Sequence, residues 1–277
     1  MQFLEFIKAV LFGIVEGVTE WLPVSSTGHL ILLDTFVRLQ VSAPFWEMFQ
    51  VVIQLGAILA VVLMFFHKLN PLAAGKSLQE QQNTWMLWAK ILVAVLPSAV
   101  LGLLLDDWMD AYLYNNVVVS IALVVYGVAF MLMEKYPLGP KLAESVWDIG
   151  WRRAVLIGCF QCLALIPGTS RSGATILGAI LLGVSRSAGA EFSFFLAIPT
   201  MLGASGLKIV KFLWEGVPMT ATELGVLLVG FGVSLGVSWL VIRGLMEYVR
   251  SHTFFAFGVY RVVLGVLVLG YFLMTAL

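Results

Sequence analysis

The chain has 277 residues, of which 61% are hydrophobic and 12% charged, and its formal net charge is zero. A soluble domain carries about 25% charged residues, so this composition, with a mean hydropathy of +0.99, excludes a soluble globular protein and specifies an all-α polytopic membrane protein. Zero net charge and the lack of any nucleic-acid-binding signature argue against a polyanion partner.

Residues 3–22 are apolar but interrupted by Glu16, Thr19 and Glu20. Glu5 and Lys8 inside this stretch, with no small-residue cleavage site after it, argue against a cleavable signal. Pro23 and a run of hydroxyls follow, and 27–39 then form a short helix. Its 13 residues reach roughly 20 Å, short of the ~30 Å hydrocarbon core. The two segments therefore read as a re-entrant hairpin turning back near mid-membrane, tolerated where it is buried in protein or lines a wet cavity. Full spans follow at 45–66, 86–105 and 116–133, separated by a polar loop and by an acidic loop over 106–115. After the basic loop 134–153, residues 154–166 and 172–184 are again about 13 each and form a second re-entrant hairpin by the same length argument. Between them lies a polar, glycine-bearing loop, 167–175. Spans at 191–210, 223–243 and 254–275 complete a set of six.

The halves correspond. At an offset of 145, Gly13 falls on Gly158, Glu16 on Gln161, Ser25 on Ser170, Thr27 on Ser172 and Gly28 on Gly173. Each half is a hairpin plus three transmembrane helices. An odd number of crossings makes the halves, about 1–135 and 150–277 of one membrane domain, inverted-topology repeats, which place a site where their broken helices meet. Lysine and arginine are concentrated in loops 67–90, 134–153 and 243–252. This puts those loops in the cytoplasm and both termini outside. The first hairpin then enters from outside and the second from the cytoplasm. Lys208 and Lys211, in a loop placed outside, run against this.

Arg171 stands in apolar sequence. An arginine at membrane depth costs ~2.5–3.5 kcal/mol even on the lenient insertion scale, and is kept where it faces a cavity, a partner charge or a ligand. The hydroxyls of Ser170, Ser172 and Thr175 and the local N–H groups surround that guanidinium, a donor set that suits phosphate. Glu16 and Glu20, four apart, share one helix face. Beside a phosphate they read as ligands for Mg2+ or Ca2+; the alternative is a structural pair bonded to Arg171 and His29. One of Ser25, Ser26 and Thr27 caps the half-helix that follows, and Ser25 joins the phosphate-binding hydroxyls. Ser26 and His29, three apart, are within reach for nucleophile activation or general acid–base work. Gln50, Gln54 and Glu191 read either as supports for the residues of the site or as helix-pairing residues. Trp85, Trp88, Trp108, Tyr112 and Tyr114 read as interfacial anchors, and Cys159 and Cys162 as two small packed hydrophobes.

Glu16-Gly-Val-Thr-Glu20-Trp-Leu-Pro-Val-Ser-Ser26-Thr-Gly-His29-Leu and Pro167-Gly-Thr-Ser-Arg-Ser-Gly-Ala-Thr175 resemble the two signature motifs of the undecaprenyl-diphosphate phosphatase, or bacitracin-resistance protein, family. The stretches 49–58 and 190–199 resemble it too, and no motif position departs. The resemblance implies a multi-pass enzyme of the bacterial inner (plasma) membrane. It would hydrolyse undecaprenyl diphosphate to the monophosphate for peptidoglycan synthesis and depend on a divalent cation. The functional positions it carries over are Glu16, Glu20, Ser26, His29, Ser170, Arg171 and Thr175. Read with the residues, Arg171, Ser170, Thr175 and the half-helix N-termini would hold the diphosphate, and Glu16 and Glu20 the metal. The nucleophile is Ser26, deprotonated by His29 or Glu20, or water activated by Glu20. The expected partners are the polyprenyl diphosphate lipid and the bilayer, with a homodimer left open and no nucleic acid; the site opens to the periplasmic side. A polyprenyl-phosphate transporter or flippase is the rival reading, since inverted repeats with midplane half-helices also build transporters. Membrane lipid phosphatases that use two histidines and an aspartate match only in fragments.

Overall fold

The computed structural model describes residues 2–136, 139–216 and 218–275. Among them the chain forms α1 (Gln2–Thr19), α2 (Ser26–Phe36), α3 (Ala43–Met64), a single turn α4 (Phe66–Leu69), α5 (Leu78–Tyr112) and α6 (Asn116–Lys135). Then come α7 (Trp151–Gln161), α8 (Arg171–Leu181), α9 (Arg186–Trp214), α10 (Ala221–Ser251) and α11 (Phe255–Thr275). Six of these, α3, α5, α6, α9, α10 and α11, are long and apolar enough to cross a membrane. The protein is a multi-pass helical membrane protein.

The helix starts are written locally. Ser42, Ser77, Asn115, Ser185 and Thr220 each accept a hydrogen bond from the backbone N–H three residues on. Ser77–Glu80 and Thr220–Glu223 are reciprocal capping boxes. Two boundaries differ from their sequence-based positions. α5 starts at Leu78 rather than near 86 and runs 35 residues, about 52 Å at 1.5 Å per residue. Residues 106–112, expected as an acidic loop, thus continue its last two turns. Likewise α9 extends through Lys208 and Lys211, and Lys208 Nζ reaches Glu47 Oε2 on α3 at 3.3 Å.

The packing partners follow a pattern under exchange of the two halves. α1 packs along α10 and α7 along α5; α3 lies against α10 and α9 against α5; α3 pairs with α9 and α6 with α11. The offset-related glycines sit at two of these crossings. A Cβ on Gly13 would stand 2.7 Å from Gly230 O, and one on Gly158 2.0 Å from Ala94 O. Those backbones can touch only without a side chain.

The broken pairs α1–α2 and α7–α8 meet inside this bundle. A short 3-10 turn (Cys162–Leu165) ends α7, and Gln161 Nε2 donates to Ser98 Oγ at 2.6 Å. Ion pairs brace the periphery. Arg186 on α9 grips Glu134 on α6, whose Oε1 also accepts from Phe254 N at 2.9 Å. Lys68 pairs with Glu191, which assigns that carboxylate to helix pairing, one of the two roles expected for it. Trp88 Nε1 donates to Leu69 O at 2.7 Å, so this tryptophan pins α4 to α5, while Trp85 and Trp108 are exposed. The cysteines are not both packed: Cys159 is exposed on α7 and Cys162 half-buried.

Candidate active site

The polar residues converge where the two broken pairs meet. Each turn ends on a serine with positive φ, Ser25 at 75° and Ser170 at 72°, the two such non-glycine residues among those described. Each serine caps the helix that follows: Ser25 Oγ accepts from Gly28 N at 3.3 Å and Ser170 Oγ from Gly173 N at 3.1 Å. α8 therefore begins at Arg171. That is one residue before the expected half-helix 172–184, and the expected loop 167–175, which overlapped it, is non-helical only up to Ser170, with Arg171, Ser172 and Thr175 helical. The start of a helix turns free N–H groups and the positive end of its dipole toward the site.

Glu20 is the centre. Arg171 Nη2 donates to its Oε1 at 3.0 Å and Ser26 Oγ to its Oε2 at 2.6 Å, so one carboxylate joins α2 to α8. Glu20 is 6% exposed and Arg171 10% at the side chain. Arg171 Nη1 donates to Ser193 O on α9 at 2.8 Å, and the guanidinium lies 5.7 Å from the Trp21 ring. Its Nε is buried without a partner. Thr175 Oγ1 donates to Arg171 O at 2.8 Å and sits 2.6 Å from Ser193 Oγ. Ser172 Oγ donates to Glu20 O at 3.0 Å and lies 3.2 Å from Ser170 Oγ, tying the second hairpin to the first.

Two expected pairings differ. Ser26 and His29 do not bond. The His29 Nδ1 hydrogen is drawn to Ser25 O, at 2.7 Å and one turn back, and Nε2 faces Tyr260 Oη on α11 at 2.7 Å. Because a carbonyl only accepts, Nδ1 carries the proton, and a neutral ring accepts from Tyr260 at Nε2. The partner positioned to take the Ser26 proton is Glu20. Glu16, for its part, bonds to neither Arg171 nor His29. It is fully buried, and both of its carboxylate oxygens lack a partner.

That orphaned carboxylate, one turn from Glu20, is the observation against which a divalent cation is tested. Two bare carboxyl oxygens in a dry setting call for a proton or a counter-charge, and hard cations take oxygen ligands. The donor set therefore fits Mg2+ or Ca2+. No group of three or more His, Cys, Asp or Glu gathers among the described residues, so phosphate oxygens, hydroxyls or water would complete the coordination, as magnesium commonly allows.

Three residues of the site lie outside the expected set: Arg261, Ser193 and Tyr260. Arg261 on α11 is fully buried, and its guanidinium donates to Pro23 O, Gly168 O and Thr169 O at 3.0, 2.9 and 2.9 Å. The signal that marks Arg171, a lone arginine in apolar sequence, marks Arg261 too. Ser193 and Tyr260 carried no comparable signal, because a hydroxyl in a span is ordinary.

The profile of the family described as Bacitracin resistance protein BacA matches residues 9–267. The chain is 56% identical over 271 residues to an undecaprenyl-diphosphatase of Lactiplantibacillus plantarum, covering 97% of this chain and 98% of that protein. It is 54% identical over 275 residues to one from Enterococcus faecalis, covering 99% of each. With one from Streptococcus mutans it shares 52% over 280 residues, covering 100% of this chain and 99% of that protein.

Proposed function

The chain belongs to the bacitracin resistance protein BacA family, and from that premise and the site geometry we propose that it is an undecaprenyl-diphosphatase. It hydrolyses the terminal phosphate of undecaprenyl diphosphate, returning the monophosphate carrier to cell-wall synthesis and conferring resistance to bacitracin. The observation that carries the chemistry is Glu20, which at once accepts from Ser26 Oγ at 2.6 Å and from Arg171 at 3.0 Å. A proton acceptor, a hydroxyl and a guanidinium held on one carboxylate are the parts that phosphoryl transfer needs.

Arg171 binds the diphosphate and stabilises the charge on the transferring group. Its buried, unpaired Nε and the N–H groups opening α2 and α8 are further donors. Ser170 and Ser25 set the start of those helices, and Ser172 and Thr175 lock α8 onto the first turn and onto α9. Glu20 takes the proton from Ser26 Oγ, which attacks the terminal phosphorus. The undecaprenyl phosphate leaves, and water then cleaves the phosphoserine to free phosphate and serine. Glu16, with Glu20, would hold a divalent cation, which when bound offsets the negative charge of the phosphates. His29 supports the α2 start through Ser25 O and Tyr260.

The two halves, about 1–135 and 150–277, are inverted repeats. Support comes from the exchange pattern of helix packing and from the two matching serine caps. The basic loops support a plasma-membrane orientation with both termini outside and the site opening to the periplasmic side. Nothing in the site favours a transporter: its polar groups close on one another in one buried cluster rather than lining a path. Purified protein in detergent, given undecaprenyl diphosphate, should release inorganic phosphate, and less so with a chelator present. No release above the detergent blank would sink the phosphatase reading and revive the transporter.

A further inference from the structure

We infer that Arg261 is a positioning residue for phosphoryl transfer: a single guanidinium from α11 holds the backbone of both turns and so fixes the aim of the two half-helix starts at the diphosphate. The inference rests on the phosphatase reading above.

Arg261 sits behind both turns at once. Nη1 holds Pro23 O, two residues before Ser25, and Nη2 holds Gly168 O and Thr169 O, just before Ser170. These are the segments that lead into the two serines at positive φ. A non-glycine residue adopts that backbone at a cost and keeps it only where its surroundings over-determine it. Three carbonyls on one buried cation supply that constraint from a helix that belongs to neither hairpin. The first turn carries Glu20 and Ser26 at its two ends and the second carries Arg171, so a shift of either turn moves the reacting groups apart.

A counter-ion role does not explain Arg261. Its ion pairs would be with carboxylates, and among the described residues Glu20 pairs with Arg171 instead, while Arg261 forms no ion pair. Its Nε has no hydrogen-bond partner, and the guanidinium lies 5.7 Å from the Tyr126 ring. A full charge is thus kept buried for what its two terminal nitrogens grip. Lysine would keep the charge and lose the fork that reaches two separate turns. Gly173 offers a gentler perturbation of the same linkage, because a Cβ there would stand 3.0 Å from Arg261 Nη1 and 3.1 and 3.3 Å from Cβ and Oγ of Ser170, at the end of a turn that Arg261 holds. The alanine methyl presses on the guanidinium and on the Ser170 side chain together, and removes no group.

The test compares kcat and KM for phosphate release from undecaprenyl diphosphate by wild type, Arg261→Lys and Gly173→Ala. Each is measured per mole of monodisperse protein, with Tm recorded alongside. Lysine should lower kcat about tenfold or more and leave KM within about twofold, because misplaced groups cost the transition state more than the ground state. Alanine at Gly173 should act in the same direction and less. A merely structural Arg261 would lower yield or Tm and leave kcat per folded molecule unchanged, which overturns the inference. So does a raised KM with normal kcat, or a fully active lysine variant beside an inactive Arg261→Met, since charge alone would then suffice. If Arg261→Lys yields no folded protein, Gly173→Ala decides, and wild-type kcat there overturns the inference. An inactive wild type strikes the phosphatase reading instead, so the two failures are told apart.

Discussion

Replacing Arg171 with lysine separates a phosphate clamp from a counter-ion. The arginine reaches two partners through two nitrogens, Ser193 O at 2.8 Å and Glu20 Oε1 at 3.0 Å, and keeps further N–H groups, including a buried Nε, for substrate. A lysine at the same place can satisfy Glu20 but cannot also present a planar pair of donors to two phosphate oxygens. Removing one charge-assisted hydrogen bond from the transition state costs roughly 3 kcal/mol, about a hundredfold in rate. Alanine would do more harm for a second reason, since it leaves the buried Glu20 carboxylate without its partner, typically at about 3–5 kcal/mol of stability. Lysine is therefore the informative variant. Initial phosphate release from undecaprenyl diphosphate, at matched folded concentration, should fall about a hundredfold while Tm stays close to wild type. A lysine enzyme within a few-fold of wild type would refute the bidentate role and leave Arg171 as the ion-pair partner of Glu20.

Glu16→Gln should keep the fold and weaken divalent-ion binding, read as a higher Mn2+ concentration for half-maximal activity and as loss of Mn2+ binding by electron paramagnetic resonance; unchanged Mn2+ binding removes Glu16 from the ion site. Gly158→Ala should lower stability by about 1–3 kcal/mol through overpacking, because its methyl would sit 2.0 Å from Ala94 O; a thermal melt equal to wild type would mean that α5 and α7 do not cross this closely. With Cys159 and Cys162 replaced, a cysteine at Asn115 should react with a membrane-impermeant thiol reagent in intact cells and one at Gln81 should not; the reverse pattern inverts the orientation.

The six spans were legible because length and hydropathy decide them, and the broken pairs were legible because 13-residue apolar segments cannot cross. What the residues around Ser77 encode is local. Its capping box with Glu80 starts α5 about eight residues before the apolar run, which hydropathy alone passes over. At the site, Glu20, Ser26 and Arg171 stood out as polar groups in apolar sequence, and the structure brings all three together. Which of the two expected partners, His29 or Glu20, Ser26 would meet was not legible. Spacing puts Ser26 and His29 on one face, but the carbonyl one turn back captures the imidazole, and the carboxylate that reaches Ser26 comes from the helix before the turn. Arg261 carried the same signal as Arg171. Its role depends on three main-chain carbonyls from two distant turns, which no side-chain pattern records.

The most direct test of Glu20 as the base that joins serine to arginine is Glu20→Gln. The amide oxygen can still accept from Arg171 and the amide nitrogen can donate to Ser26 Oγ, so the hairpins stay joined while the proton acceptor is lost. A positioned general base contributes about 10²–10⁴-fold. Phosphate release from undecaprenyl diphosphate by folded Glu20→Gln should therefore fall at least a hundredfold with little change in Tm. Turnover within a few-fold of wild type would contradict the role assigned to Glu20.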